Sequence, residues 1–306
     1  MKELWVEKYR PKTIDEYVFV DERQREQVAS FIKQRSIPHL LLSGGPGTGK
    51  TTLARMLAHE LGVDDADFMQ INASNETKIE IMRDKVLNFV STYPFGDFKI
   101  ILMDEADYLS LNSQGLLRNA LETYSSQARF IFTCNQQHKI MPAIHSRCTH
   151  FQIAKTDHTE FTARVATVLV KEEVEFDLDL LDSYVKATYP DLRKCLMLVQ
   201  QNSMDGKLMR PRENDGAVSD WKLDCVELFK TGKIREARGL LCTQAAPEEM
   251  EDVFRWMYDN LNLWSKTPEG QDEAIKIIRN GIAKMPLVAD QEINLSATLI
   301  ELGEIN

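Results

Sequence analysis

"HLLLSGGPGTGKTTLARMLAHEL", residues 39–61, decides the fold. Its first five residues are a short apolar run. Its last eleven, 51–61, return apolar side chains at helical spacing. Between them "GGPGTGKT" (44–51) fits G-x-x-x-x-G-K-[ST] in the context that gives the pattern meaning, a strand before and a helix after. Glycines let successive backbone N–H groups curl round an anion with no Cβ in the way. The helix that opens near Lys50 adds its positive end. Gly44, Gly45, Pro46, Gly47, Thr48, Gly49, Lys50, Thr51 and Thr52 are therefore the candidate phosphate-binding residues. Lys50 is expected to reach the β and γ phosphates and the Thr51 hydroxyl to ligate Mg²⁺.

A second apolar run, "FKIILMDEAD" (98–107), ends in carboxylates. Alone, such an ending is a common solvated loop. Some fifty residues after a phosphate loop it reads as a metal and water site. Asp104 is placed to hold the Mg²⁺–water shell, and Glu105 to polarise an attacking water. No N-K-x-D loop for reading guanine is present, so ATP is the expected nucleotide. A third run, "RFIFTCN" (129–135), ends in Asn135, whose amide can hold the water or the γ-phosphate.

Working outward, "FMQINA" (68–73) and "THFQIA" (149–154) read as further strands. "KIEIMRDKVLNFVST" (78–92) and "NSQGLLRNALETY" (112–124) read as helices, the latter with Asn112 as its cap. Buried strands alternating with helices predict an α/β fold with a parallel sheet covered on both faces. After residue 155 strand signals vanish and amphipathic helices follow. "NSMDGKLMRPRENDGAVSD" (202–220) carries turn and linker composition. The expected organisation is a nucleotide-binding α/β domain over 1–154, a small helical lid over 155–204, a linker over 205–220 and an all-α domain over 221–306.

The 306 residues exceed what one hydrophobic core usually serves. The formal charge of −10 excludes a general polyanion binder, so any contact with DNA needs a local basic surface. The five cysteines form no CxxC pair, which argues against a zinc module. No apolar h-region follows "MKELWVEKYRPK" and no run is long enough to span a bilayer. Free thiols without an export signal predict a cytoplasmic protein.

Taken together, GxxxxGKT, then DEAD, then TCN, then "IHSRC" (144–148), then "PDLRK" (190–194), resemble the AAA+ ATPases. Within them the chain resembles the sliding-clamp loader subunits, the relatives of replication factor C small subunits. "LWVEKYRPKTIDEYV" (4–18) carries their W-x-E-K-Y-R-P. "CNQQHKIMPAIHSRC" (134–148) carries their C-N-x-x-x-K-I-x-x-x-I-x-S-R-C. The residue-level resemblance runs over about residues 4–200. The short chain, the lack of zinc cysteines and "ETYSSQARFIFTCN" (122–135) incline it to the large subunit of T4-like bacteriophages. One departure is Gly45, where many relatives carry proline.

The resemblance implies further roles. Glu7, Lys8, Tyr9, Arg10 and Pro11, with Val18, would wrap the adenine. Arg193 would reach the γ-phosphate of its own chain, and Arg147 the ATP of a neighbouring subunit. A guanidinium is a planar, permanently charged fork suited to phosphate oxygens. The implied partners are further copies of the chain and a distinct small subunit in a 4:1 pentamer, a ring-shaped clamp and primer–template DNA, with no membrane. The implied site of action is the cytoplasm, that of the host for a phage protein. The C-terminal helices would form an oligomerising collar, with Phe254, Trp256, Met257, Leu261 and Trp264 read as core.

Lys78, Arg83, Lys85 and Arg118 are the candidate DNA contacts, through the phosphate backbone. Glu80, Asp84 and Glu122 dilute that positive face. Arg118, beside Gln114, has a subunit interface as its competing reading. Two rival functions remain open from sequence: another AAA+ remodeller, such as a branch-migration or helicase-loading ATPase, and an inactive scaffold subunit.

Overall fold

The computed structural model describes residues 3–19, 21–75, 79–210, 221–245 and 249–305. Two compact units divide the chain, Met1–Glu160 and Phe161–Asn306. Among the described residues no helix is long and apolar enough to cross a membrane.

The first unit is a parallel sheet between helical layers. Its elements are α1 (Trp5–Lys8), α2 (Glu22–Gln34), β1 (Leu40–Ser43), α3 (Lys50–Glu60), β2 (Phe68–Asn72), α4 (Ile79–Ser91), β3 (Lys99–Asp104), α5 (Leu111–Thr123), β4 (Ala128–Cys134), α6 (Pro142–His145) and β5 (Thr149–Gln152). The strand order is β2-β3-β4-β1-β5, every neighbouring pair parallel. The β-strand period of two splits each apolar run between the two faces. Leu41, Ile101, Met103, Phe130 and Phe132 pack with Met82 and Val86 of α4 and Leu117 and Leu121 of α5. Leu40, Leu42, Ile100, Leu102 and Ile131 pack with Val28 of α2 and Leu53 and Leu57 of α3. Both faces are covered, so the strands are apolar throughout rather than alternating. Burial of each such Leu or Phe contributes about 1.5–3 kcal/mol.

The cap of α5 differs from expectation. Ser110, not Asn112, caps it, its hydroxyl accepting from the Ser113 N–H at 3.2 Å. A cap bonds the N–H three residues on, and the turn at Leu109 places Ser110 there. Glycine spacing sets the other boundary of interest. Gly49 precedes α3 at φ +94°, a left-handed conformation glycine tolerates.

His39 ties the edge of this sheet together. Its Nε2 bonds the Leu121 carbonyl at 3.2 Å, and its Nδ1 accepts the Phe130 N–H at 3.1 Å. That pattern requires neutral imidazole. Burial lowers its pKa to about 4, further lowered by nearby Arg129 and opposed by the Leu121 bond. The folded-state value lies below the unfolded one, near 6.5. Its stabilising contribution is therefore full above pH 6.5 and is lost as pH falls toward 4. Urea unfolding at pH 7 and pH 5 is expected to show a loss of roughly 1–2 kcal/mol in the native chain, discounted for partial exposure, that His39→Gln does not show.

The second unit contains α7 (His158–Lys171, beginning just before the boundary), α8 (Leu178–Thr188), α9 (Leu192–Gln201), α10 (Trp221–Lys230), α11 (Ile234–Gln244), α12 (Met250–Asp259), α13 (Pro268–Lys284) and α14 (Gln291–Gly303). The stretch read as linker is not structureless at its start. β6 (Ser203–Met204) and β7 (Lys207–Leu208) form an antiparallel hairpin, turned by Asp205 and Gly206, both at positive φ. Phe254, Trp256, Met257 and Trp264 are buried in the C-terminal core, as read, while Leu261 is half-buried at its margin. Gly281 lets α13 approach α12 closely: a Cβ there would lie 2.4 Å from the Phe254 ring.

Candidate functional site

The carboxyl ends of β1, β3 and β4 bring one cluster together. This is the usual place for a site in a parallel sheet. Lys50, first residue of α3, is buried and folds back over its own loop. Its Nζ donates to the Gly44 carbonyl at 2.9 Å, the Gly45 carbonyl at 2.6 Å and Asn135 Oδ1 at 2.8 Å. Asn135, 85 residues away in sequence, thus turns its amide oxygen to the lysine.

Asp104 ends β3 as a buried carboxylate held on both oxygens. Thr51 Oγ1 donates to Oδ1 at 2.8 Å, Thr133 Oγ1 to the same oxygen at 2.6 Å, and Gln70 Nε2 to Oδ2 at 3.0 Å. The Thr133 hydroxyl also accepts the Glu105 N–H at 3.0 Å. Glu105 follows the strand at φ +56°, outside the conformations an L residue prefers. Asp107, the last acid of the run, has a structural role. Its Oδ2 accepts the N–H of Asn135 at 3.3 Å and of Gln136 at 3.1 Å. The loop carrying Asn135 is thereby fastened to the loop carrying Glu105. Cys134, between them, has its thiol pushed up to about 11 by burial and then by Asp107, so it stays protonated.

The residues fit a Mg²⁺–triphosphate. Thr51 Oγ1 and Asp104 Oδ1 are hard oxygen donors 2.8 Å apart. The loop above them can be formed only by glycine at key points. A Cβ on Gly44 would meet the Ile153 carbonyl oxygen at 2.2 Å, and Gly47 and Gly49 have φ of +72° and +94°. At Gly45 a Cβ meets only Thr48 Cγ2, at 3.8 Å, so space does not demand glycine there.

The N-terminal segment lies against the same loop. Tyr17, buried, presents its ring to Gly49 and its hydroxyl to the Gly49 carbonyl at 3.5 Å. The Ile14 N–H donates to Glu60 at the end of α3, at 3.1 Å. Tyr9, Arg10, Pro11 and Val18 are half-buried, whereas Glu7 and Lys8 are exposed, Glu7 pairing with Arg10 at 2.8 Å. Thr48 Oγ1 donates to the Gly45 carbonyl at 2.9 Å, and Thr52 is half-buried in the first turn of α3.

Arg147 stands elsewhere. It precedes β5, whose Thr149 pairs with Leu40, while the phosphate loop follows Ser43, which pairs with Gln152. Parallel strands rise about 3.3 Å per residue, so the arginine and the loop lie at opposite ends of neighbouring strands. Arg147 is not gathered into the cluster of Lys50, Thr51, Asp104 and Asn135. Its neighbour Cys148 packs against the core, its thiol pushed up to about 12 by burial. Buried Gln114 fixes the approach to this loop, donating to the carbonyls of Leu109 at 3.1 Å and Lys139 at 3.0 Å and accepting the Met141 N–H at 2.7 Å.

The remaining expected residues are not gathered here. Arg193 is exposed in the first turn of α9, in the second unit. Arg83 and Lys85 are exposed on α4 beside exposed Glu80 and Asp84. Arg118 is half-buried and bonds Asn119 at 2.9 Å. Lys78 lies outside the described residues. Gln70, Thr133, Asp107 and Tyr17 went unread in the sequence. Only the strand register could reveal the first two, since Asn72 pairs with Asp104 and Met103 with Phe132.

Comparison with known proteins identifies the family. The model of the ATPase family associated with various cellular activities (AAA) matches residues 40–156. The replication factor C small subunit of Saccharolobus solfataricus is 32% identical over 322 residues, covering 98% of this chain and 94% of that protein. That of Methanococcus vannielii is 32% identical, covering 99% of both. That of Sulfurisphaera tokodaii is 39% identical over 209 residues, 67% of this chain and 64% of the relative's length. Among solved structures, the RuvB Holliday junction branch migration motor of Thermotoga maritima matches at a TM-score of 0.54 and 19% identity. It covers 63% of this chain and 66% of that one, and shows the fold alone. A phosphate loop, an acid-ended strand and near full-length relatives make this an ATP-hydrolysing enzyme. The chain belongs to the replication factor C small subunit family, the AAA+ ATPase subunits of the clamp loader for DNA replication.

Proposed function

We propose that this chain hydrolyses ATP at an interface between subunits to open a ring-shaped clamp and place it on primer–template DNA. The observation that carries this reading is the division of the chemistry between the two ends of the strands. Lys50, Thr51, Asp104 and Asn135 are assembled at one, and Arg147 stands at the other. Each chain is thus half of two sites, which suits an enzyme that fires only when assembled.

In this reading Lys50 holds the β and γ phosphates, exchanging loop carbonyls for phosphate oxygens. Glu105 orients the attacking water, and Asn135 steadies it or the γ-phosphate. Thr51 directly and Asp104 through water would hold Mg²⁺, which when bound would supply positive charge to the phosphates. Tyr9, Arg10, Pro11 and Val18, with Glu7 and Lys8, close over the adenine. Arg193 completes the γ-phosphate contacts in its own chain. Arg147 of the adjoining subunit supplies transition-state charge. The half-buried strap and the Tyr17–Gly49 contact support the adenine assignment.

The finer picture is a T4-like bacteriophage large subunit in a 4:1 pentamer with a small subunit, acting in the host cytoplasm. Residues 155–204 act as lid and 221–306 as collar; of the linker read over 205–220, residues 211–220 lie outside the described residues. Arg83, Lys85, Arg118 and Lys78 track DNA phosphates, against the acids that flank them. Tyr93 and Phe95, 89% and 85% exposed, supply aromatic surface for a macromolecular partner. Their loop is held by Asp67, whose Oδ2 accepts the N–H of Phe95 at 2.7 Å and of Gly96 at 2.9 Å.

The test is ATP turnover of the chain with its small subunit, with and without clamp and primed DNA. Strong stimulation by the pair together is expected. Turnover indifferent to both, or six-membered assemblies in native mass spectrometry, would turn the reading toward another AAA+ remodeller.

A further inference from the structure

Arg147 is already engaged within its own chain. Its Nε and Nη2 both donate to Oε1 of Glu122, the Nε bond at 2.7 Å. Its Nη1 donates to the Ala143 carbonyl at 2.7 Å and to Ser146 Oγ at 3.1 Å. These bonds occupy both ends of the guanidinium, and the Nε–Nη2 edge is one that grips a carboxylate or phosphate as a fork. Glu122 fills that edge.

Glu122 has no reason of its own helix to be there. It lies in the last turn of α5, where the helix dipole disfavours an anion. Arg118, one turn earlier and at the spacing of a helical ion pair, bonds Asn119 instead. The acid that dilutes the candidate DNA-binding face is the partner of the interface arginine.

We propose that Glu122 is a positioning residue that masks Arg147 in the free subunit and yields it on assembly. The inference rests on the reading of Arg147 as the group that completes a neighbour's site. On docking, the neighbour's γ-phosphate takes the Nε–Nη2 edge, while Ala143 and Ser146 keep Nη1 in place. The side chain thus turns over one edge only, without searching for its rotamer. Side-chain exposures of 34% for Arg147 and 56% for Glu122 let water separate the pair without leaving a buried charge. An exposed pair of this kind shifts an equilibrium by up to about fivefold. Glu122 is therefore strong enough to bias the arginine and weak enough to lose to a terminal phosphate. After hydrolysis, with the γ-phosphate gone, Glu122 recaptures the edge and loosens the interface.

Glu122→Gln removes the charge and keeps an acceptor of the same shape. Assembly of the loader is measured by sedimentation in a non-hydrolysable ATP analogue and in ADP. With the analogue, the concentration for half-assembly is expected to fall about threefold to fivefold, the gain shrinking as salt is added. In ADP the variant and the native chain are expected to assemble alike. In an Arg147→Ala background Glu122→Gln is expected to change nothing. An equal gain in ADP, an equal gain in the Arg147→Ala background, or a lowered maximal stimulated ATPase with Arg147 present would overturn the proposal. Stimulated hydrolysis that survives Arg147→Ala alone would instead remove the parent reading, and is recognised in a chain whose Glu122 is untouched.

Discussion

Replacing Arg147 by alanine is expected to lower clamp- and DNA-stimulated ATP hydrolysis by about 10³-fold, the lower end for an arginine that completes a phosphoryl-transfer site in trans. The expectation follows from position. The arginine lies at the amino-terminal end of β5 and β1, opposite the end that carries Gly44 and Lys50. In the proposed reading its loss would remove charge from a neighbour's site, and it leaves the phosphate loop of its own chain, at the other end of the strands, untouched. Mixing experiments make this directional: subunits carrying Arg147→Ala silence the site they adjoin, while their own sites are rescued by a native neighbour. Stimulated turnover within a few-fold of native would return Arg147 to an ordinary surface charge. Arg147→Lys is expected to recover little, because an ammonium lacks the fork.

Glu105→Gln is expected to lower stimulated turnover by on the order of 10²-fold or more, the range for a positioned group that handles the proton of the attacking water. The fold holds Glu105 by its backbone, whose N–H donates to Thr133 at 3.0 Å, and not by its carboxylate. The amide substitution is therefore expected to leave thermal stability within about 0.5 kcal/mol, the range of changes away from packed features. Single-turnover hydrolysis beside an unfolding curve separates the two effects. A parallel fall in both would mean that the backbone at φ +56° had rearranged, and that the carboxylate was not the active element.

Much of the α/β layer was legible because its signals are local. A strand buried on both faces is apolar at each position, whichever face it serves, so HLLLS, FKIILMDEAD and RFIFTCN announce themselves. The phosphate loop is legible for a similar reason: its residues lie in one short stretch, and Gly44, Gly47 and Gly49 stand where a side chain would clash or be strained. Capping was less readable. Ser110 and Asn112 are both competent caps, and which one serves depends on how Leu109 ends the preceding turn. The hairpin at 203–208 was hidden within Gly- and Asp-rich composition, which turns and linkers share. The pairing of Glu122 was out of reach because helical charge patterns describe neighbours along a helix, whereas its partner lies 25 residues away.

The sequence by itself determined the nucleotide chemistry, the parallel sheet and the relation to clamp loader ATPases, since each rests on residues close together along the chain. The tertiary structure alone decided which groups share a site. Strand register brought Gln70 and Thr133 to Asp104, and Lys50 to Asn135. The same register carried Arg147 to the far end of the strands and set it against Glu122. In a parallel sheet every strand presents its two ends to two different surfaces, so a few residues along one strand separate the phosphate loop from the loop that carries Arg147.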